Sequence, residues 1–572
     1  MLSKKLVAML FISTVAFSSL PTSTQTIASE IEDLPFKQEL KVPVDTSRVE
    51  TWFQPVDVHV EFNHRCWARN ETCHSVRVCY DDGSGLVELE SQVYDLEFID
   101  ENHVKACNLV FLIPENVDGK EKYYVLYSDS ETELPYYPDH VKVEDTHYFY
   151  EPISGQKMDF DYYKITQDGY VIYGICQKGV LLGEGVSHTI IKLKPNSTEF
   201  ESQNADQFAS FAMSYAVDGP LQYTGTPRAE TVSKNILVDG NLMVRVRIES
   251  ISPENDIKTN VVYTYYYSPT SVKRVVVHVN HQVLKEVKVG GDEQRDGTYA
   301  SLSTFKSRSA TIDNMNVGVI LPNLHIYGED DSIKEYSIPT NPESHNPEWV
   351  LSTMDDIDLG SKAWLCIDDS STGKTHGLIF NSNNGLLEGE EDGIQVKSSV
   401  KQVVKLPGLE ADTGNLYATR NSYEKNREHN LIIPEGTNVT FDAEFVTFEK
   451  GGYQAVGKES EVFQCLTRQR PLFRGNVSVE KEKERFFLTT FVHFAPSFPM
   501  GSLFSAAAGK KFPYLYAELY REGSLASSGS VAGLPLSGSM ELDFGNTTLF
   551  QKVGMVLGLF DWRNVSFFKK IR

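Results

Sequence analysis

Helical periodicity and long apolar runs are both scarce in this chain. Beyond the N-terminal stretch no segment combines the length and apolarity of a spanning helix, and the most apolar C-terminal candidate, residues 553–560, is too short and contains glycine. Positive charge is in deficit: 54 Lys and Arg stand against 78 Asp and Glu, a net charge of -24. That balance disfavours a nucleic-acid partner, whose phosphates call for basic surface, and is read as solubility. Seven cysteines in 572 residues exclude a disulfide scaffold, and no CxxC pair occurs. Also missing are GxSxG, HExxH, the P-loop and a GxGxxG opening a helix, which removes the chemistries those motifs serve. There is no internal repeat and no low-complexity tract.

What is present begins with a basic start, Met1-Leu-Ser-Lys-Lys5, followed by an apolar stretch over 6–20 that only small hydroxyl residues interrupt. It is shorter than the ~20 residues a bilayer span needs. With small residues at Ala28-Ser29, residues 1–29 read as a secretory signal cleaved near Ala28. An uncleaved anchor or a buried helix is the alternative, opposed by Pro21 and the polar run after it. A secreted or cell-surface location follows, with no transmembrane segment after signal cleavage. Six Asn-X-Ser/Thr sequons, at Asn70, Asn196, Asn438, Asn476, Asn546 and Asn564, permit glycosylation there.

Export also permits oxidation of Cys66, Cys73, Cys79 and Cys107, which cluster near the start. Four cysteines allow three pairings, and Cys66 with Cys73 and Cys79 with Cys107 is the expected one. A zinc site is the rival. Of Cys176, Cys366 and Cys465 one thiol is left over, to be buried as a small apolar residue.

Short runs rich in Val, Ile, Tyr and Phe recur at 56–62, 76–80, 123–127, 170–175 and 261–267, separated by turn pairs such as Asp82-Gly83, Asp168-Gly169, Asp239-Gly240 and Asn384-Gly385. The fold class is all-β and multi-domain. We expect an N-terminal β-sandwich over about 45–150, a large central region over 155–465 whose strands continue without a clear linker, and a C-terminal sandwich-like segment over 472–572 whose abrupt end reads as that of an incomplete domain.

Three successive central strands carry the most informative side chains. Alternation in 242–250 sets Val244, Val246 and Ile248 on one face and Arg245, Arg247 and Glu249 on the other. The matching lining is expected from Tyr263, Tyr265 and Tyr267, then Arg274, His278 and Asn280. Adjacent strands would then build a groove of Arg, Tyr, His and Asn suited to sugars, whose apolar faces stack on aromatic rings while Arg and amide groups bond hydroxyls or carboxylates. The competing account is an ordinary solvated sheet face.

The runs Leu242-Met-Val-Arg-Val-Arg-Ile-Glu-Ser250, Val262-Tyr-Thr-Tyr-Tyr-Tyr267 and Arg274-Val-Val-Val-His278, with Ala363-Trp-Leu-Cys-Ile-Asp-Asp369 and Gly377-Leu-Ile-Phe380, make the chain over about 155–465 resemble a known fold family. That family is the galactose mutarotase-like β-supersandwich of several polysaccharide lyases, glycosidase accessory domains and sugar epimerases. The resemblance implies a supersandwich-like centre and carbohydrate substrates, and it brings no lyase catalytic motif that matches residue by residue.

A second cluster, Tyr417-Ala-Thr-Arg-Asn-Ser-Tyr-Glu-Lys-Asn-Arg-Glu-His429, crowds Tyr, Arg and His without apolar alternation. Lyase action on a uronate needs a cation against the carboxylate and a Tyr or His to move protons, roles open to Tyr423, Arg420, Arg427 and His429. A charged surface loop is the plainer account. His188, after Gly183-Glu-Gly185, is a lone candidate. No cofactor is expected, although the acidic loops at 355–358 and 388–392 offer oxygen ligands for calcium without EF-hand spacing. The expected role is binding or processing of extracellular polysaccharide or cell-surface glycan, with a non-enzymatic adhesion or spacer protein as the alternative.

Overall fold

The computed structural model describes residues 34–467 except 134–135, 154–155, 182–183, 194–203, 216–229, 290–299, 312–320, 322, 329, 338–348, 351–356, 382–394, 403–413 and 422–430, and beyond them the strands between 486 and 557. Strands dominate throughout, as the turn spacing predicts. Among the described residues no helix is long and apolar enough to cross a membrane.

The N-terminal unit is a sandwich of two four-stranded antiparallel sheets. One orders Phe36–Leu40, Lys122–Tyr127, Arg77–Asp81 and Leu86–Leu89; the other orders Cys73–His74, Pro55–Asn70, His103–Leu112 and Ser91–Phe98. Val56, Val60, Val78, Leu109, Phe111 and Val125 fill the space between them. Alternation turns Asp57, Gln92, Tyr94, Asn108 and Val110 the other way; Asp57 and Gln92 bond Arg245 and Met243 of the central domain, and Tyr94 and Val110 share a core with Leu242, Met243 and Tyr266.

The strand Val141–Ile153 already forms one edge of a twelve-stranded central sheet. Facing it is a nine-stranded antiparallel sheet in the order Glu230–Asp239, Met243–Ile251, Ile257–Tyr266, Lys273–Val283, Asn438–Phe448, Lys374–Phe380, Trp364–Asp369, Asn323–Tyr327 and Ile333–Ser337. One continuous core lies between the two sheets, drawing Ile165, Ile175, Ile190 and Phe208 from the first and Val246, Val261, Val277, Ile367 and Phe445 from the second. At the C-terminal end Phe486–His493, Tyr514–Arg521 and Ser524–Ala532 form a three-stranded antiparallel sheet.

The unexpected element is a helix, Gly452–Thr467, lying on the outer face of the nine-stranded sheet. Val456 and Phe463 pack there with Trp364, Cys366, Ile379 and Val446, and Leu466 is also buried. Its first N–H group, on Gly452, donates to Gly373 O at 3.0 Å and the next, on Tyr453, to Asp368 Oδ2 at 3.1 Å, so a carboxylate from a distant strand caps the helix start.

Candidate functional site

The three strands singled out from the sequence are neighbours, joined antiparallel in the order Met243–Ile251, Ile257–Tyr266, Lys273–Val283. The register decides which side chains share a face, because directly opposed residues point the same way. Val246 opposes Tyr263 and Val244 opposes Tyr265, and Tyr263 in turn opposes Val277. Tyr263 and Tyr265 therefore point into the core between the sheets, away from Arg245, Arg247, Arg274, His278 and Asn280. The expected aromatic lining is corrected on this point. Both rings are buried, their hydroxyls donating to His188 O at 3.0 Å and Gln167 Oε1 at 2.7 Å, which ties one sheet to the other. Burial also pushes both hydroxyls well above the usual tyrosine range. Tyr267 lies past the end of its strand and stacks on His140 with centroids 3.9 Å apart.

On the outer face, Arg245 is sealed beneath the N-terminal sandwich. Its Nη2 donates to Asp57 Oδ2 at 3.0 Å and its Nε to Thr264 Oγ1 at 3.0 Å, while Tyr94 and Tyr266 donate their hydroxyls to the same carboxylate at 2.7 and 2.6 Å. Arg274 is sealed beneath the helix, donating to Glu459 at 2.5 and 3.2 Å; Gln54 of the N-terminal unit donates to both oxygens of that carboxylate at 2.9 Å. Both guanidinium groups are about 5% exposed, so they act in the seams between units and neither is open to a ligand.

Of the expected lining, His278, Asn280 and Arg247 are half-buried on this face, with Val262 of the intervening strand between Arg247 and His278. His278 Nδ1 lies 2.7 Å from Asp442 Oδ1 on the adjoining strand, directly opposite in register. Asn381 donates its amide to Asp442 Oδ2 at 3.1 Å and its backbone N–H to Asp442 O at 3.1 Å, which fixes the carboxylate. A carboxylate accepts only, so Nδ1 carries the proton of the neutral ring and Nε2 presents a lone pair. Asn280 Oδ1 accepts from Thr440 Oγ1 at 3.4 Å. The arrangement is an oriented imidazole among amide and hydroxyl groups, able to take a hydrogen bond or a proton from a hydroxyl. Asp442 and Asn381 escaped the sequence reading; they lie 164 and 103 positions from His278, and only the sheet order brings them to it.

Of the second cluster's candidate residues, Arg420 is the one among the described residues. Arg420 lies in Gly414–Asn421, opposite Ser303 and Val396 in the twelve-stranded sheet, on the far side of the core from the His278 face. Tyr423, Arg427 and His429 lie outside the described residues, as do the acidic loop at 388–392 and Asp355 and Asp356 of the other.

His188 proves to be a core residue with φ 53°, its Nε2 2.8 Å from Ser250 Oγ. Burial holds its ring down at about 3. The expected disulfides are not formed, and all seven cysteines are free thiols. Cys107 points into the sandwich core, whereas Cys79 points out of the opposite sheet toward Leu126, so that pair cannot meet. Cys66 lies in the core with its Sγ 3.6 Å from Ser75 Oγ, and Cys73 is on the short neighbouring strand. The sequon residues Asn70 and Asn438 are exposed; Asn196, Asn476, Asn546 and Asn564 lie outside the described residues.

No family model and no curated protein matches this chain. Among solved structures it is similar to a protein in the glycosyl hydrolase family 38 from Enterococcus faecalis, at 10% identity and a TM-score of 0.37 over 83% of this chain and 53% of that one. It is also similar to a putative aldose 1-epimerase from Klebsiella pneumoniae, at 9% identity and a TM-score of 0.31 over 58% of this chain and 93% of that one. A galactose mutarotase related enzyme from Lactobacillus acidophilus follows at 8% identity and a TM-score of 0.22, over 54% of this chain and 99% of that one. The chain spans about half the length of the first of these.

Proposed function

We propose that this protein is exported and binds or processes extracellular polysaccharide on the outer face of the nine-stranded sheet. The observation that supports the reading is the His278 ring, oriented by Asp442 at 2.7 Å, with the amide and hydroxyl groups of Asn280, Asn381 and Thr440 on the same stretch of sheet. Those groups match the alternating donors and acceptors of sugar hydroxyls. Binding is the core of the proposal, and a proton-transfer reaction at His278 is its enzymatic form.

A glycan array probed with the chain from Glu30 onward tests it, followed by incubation of any bound polymer while absorbance near about 235 nm reports β-elimination. Binding that falls about tenfold in His278→Gln, the loss of one hydrogen bond to an oriented group, is the expected result. Binding unaffected by His278→Gln and Asp442→Asn would sink the assignment. A second reading, a non-enzymatic surface protein whose sandwiches serve as spacers, draws support from the buried Asp57–Arg245 and Glu459–Arg274 seams, which hold the N-terminal and central units in one fixed pose. Failure to bind any acidic or neutral glycan would favour it.

A further inference from the structure

A second oriented imidazole stands on the N-terminal sandwich, beside the Arg245 seam. Asp57 and His59 are two residues apart on one strand and share the face turned to the central domain. Asp57 is consumed by the seam, whereas His59 is exposed at its rim. Directly opposite in register is Asn108, whose Oδ1 lies 3.0 Å from His59 Nδ1 and whose Nδ2 donates to Asp95 Oδ2 at 3.1 Å.

The order of groups in this chain leaves one proton arrangement. The Asp95 carboxylate accepts only, so it draws the NH2 of the Asn108 amide toward itself. The amide oxygen then faces His59, so Nδ1 must donate. Nε2 of the neutral ring is left as an acceptor at the surface, the same state that Asp442 imposes on His278. Asp95 reaches Asn108 from an irregular point in its strand, where the pairing register shifts after Tyr94 and its own φ is 51°. Such a bulge re-aims one side chain at a local conformational cost.

We infer that His59 is a second hydroxyl-binding position of this protein, held as the Nδ1–H tautomer by Asp95 through Asn108 and presenting Nε2 to a sugar hydroxyl at the rim between the N-terminal and central units. The choice of a sugar rests on the glycan reading above; the tautomer lock does not.

The test is a long-range proton–nitrogen spectrum of the full chain labelled at histidine, with His59→Gln and His278→Gln assigning the two rings. The expected spectrum has His59 in the Nδ1–H pattern. Asp95→Gly, which tolerates the positive φ but removes the acceptor, shifts that ring toward the Nε2–H form, and Asp95→Asn, which keeps an acceptor oxygen, restores it. A wild-type ring in the Nε2–H form, or one indifferent to Asp95→Gly, overturns the lock. Cellohexaose and trigalacturonate are then added as the neutral and the acidic probe. Movement of the His59 signals with either, weakened about fivefold in Asp95→Gly, supports the site. Movement of His278 alone overturns the His59 site and leaves the first reading standing; movement of His59 alone does the reverse. Movement of neither overturns both.

Discussion

Replacing Asp57 with alanine attacks the joint between the N-terminal sandwich and the central sheet at its most connected atom pair. The carboxylate accepts from Arg245, Tyr94 and Tyr266 at 3.0, 2.7 and 2.6 Å, and the guanidinium also lies over the Tyr94 ring at 4.9 Å. In Asp57→Ala the Arg245 charge stays buried without its counter-charge, and such a break costs about 3–5 kcal/mol. Two buried hydroxyls also lose their acceptor, which places the result at the upper end of that range. Asp57→Leu combined with Arg245→Met removes the charge together with its partner and should be markedly less damaging than Asp57→Ala alone, since similar exchanges are often close to neutral. Urea unfolding gives the free energies, and proteolysis of the connector around 130–140 reports whether the two units part before either unfolds. A cost below about 1 kcal/mol for Asp57→Ala, or a double variant as unstable as the sum of its singles, would refute the claim that one desolvated pair holds the joint.

Acid should destabilise the fold through its buried neutral histidines. His188 is held at about 3 and His74 at about 4, both by burial first, against about 6.5 in an unfolded chain. The unfolded state binds these protons more readily, so the full contribution is present above about pH 6.5 and is lost as pH falls toward the folded values, at roughly 1.4 kcal/mol per unit for each ring. Urea midpoints should drop between pH 7.5 and 5, and His188→Asn, which tolerates the positive φ, should flatten that slope; an unchanged slope contradicts the assignment. Thiol labelling of the native protein should reach the exposed Cys465 first and leave Cys66 and Cys79 untouched, because burial pushes both of these to about 12. Mass mapping reads this directly, and a protected Cys66 or Cys79 that stays unlabelled after unfolding without reductant would restore the disulfide expectation. Gly240→Ala should cost about 1–3 kcal/mol, since its Cβ would fall 2.3 Å from the Gln92 amide, and that amide is held by Leu242 N, Met243 N and Met243 O. A midpoint equal to wild type would show that Gln92 yields freely.

The sequence alone carried the strands, their turns and the all-β class, because a two-residue period and Asp-Gly punctuation are local properties of the chain. It also placed Val244, Val246 and Ile248 on the core face, since that strand alternates apolar and charged residues. It could not set the phase of Ile257–Tyr266. Nearly every residue of that strand is buried on one face or the other, so alternation carries no sign, and only its pairing with Val244 and Val246 shows that Tyr263 and Tyr265 face inward. The helix Gly452–Thr467 was hidden for a related reason. Glu459 and Ser460 sit in the middle of its buried face, which breaks the apolar stripe, and its cap, Asp368, comes from another strand. Glu459 is tolerated there only because Arg274 and Gln54 meet it. Tertiary structure likewise turned two of the three expected sugar-binding arginines, Arg245 and Arg274, into seam residues, and paired His278 with a carboxylate 164 positions away. Whether an arginine binds a ligand or locks a joint depends on what covers it, and that is a property of the packed chain.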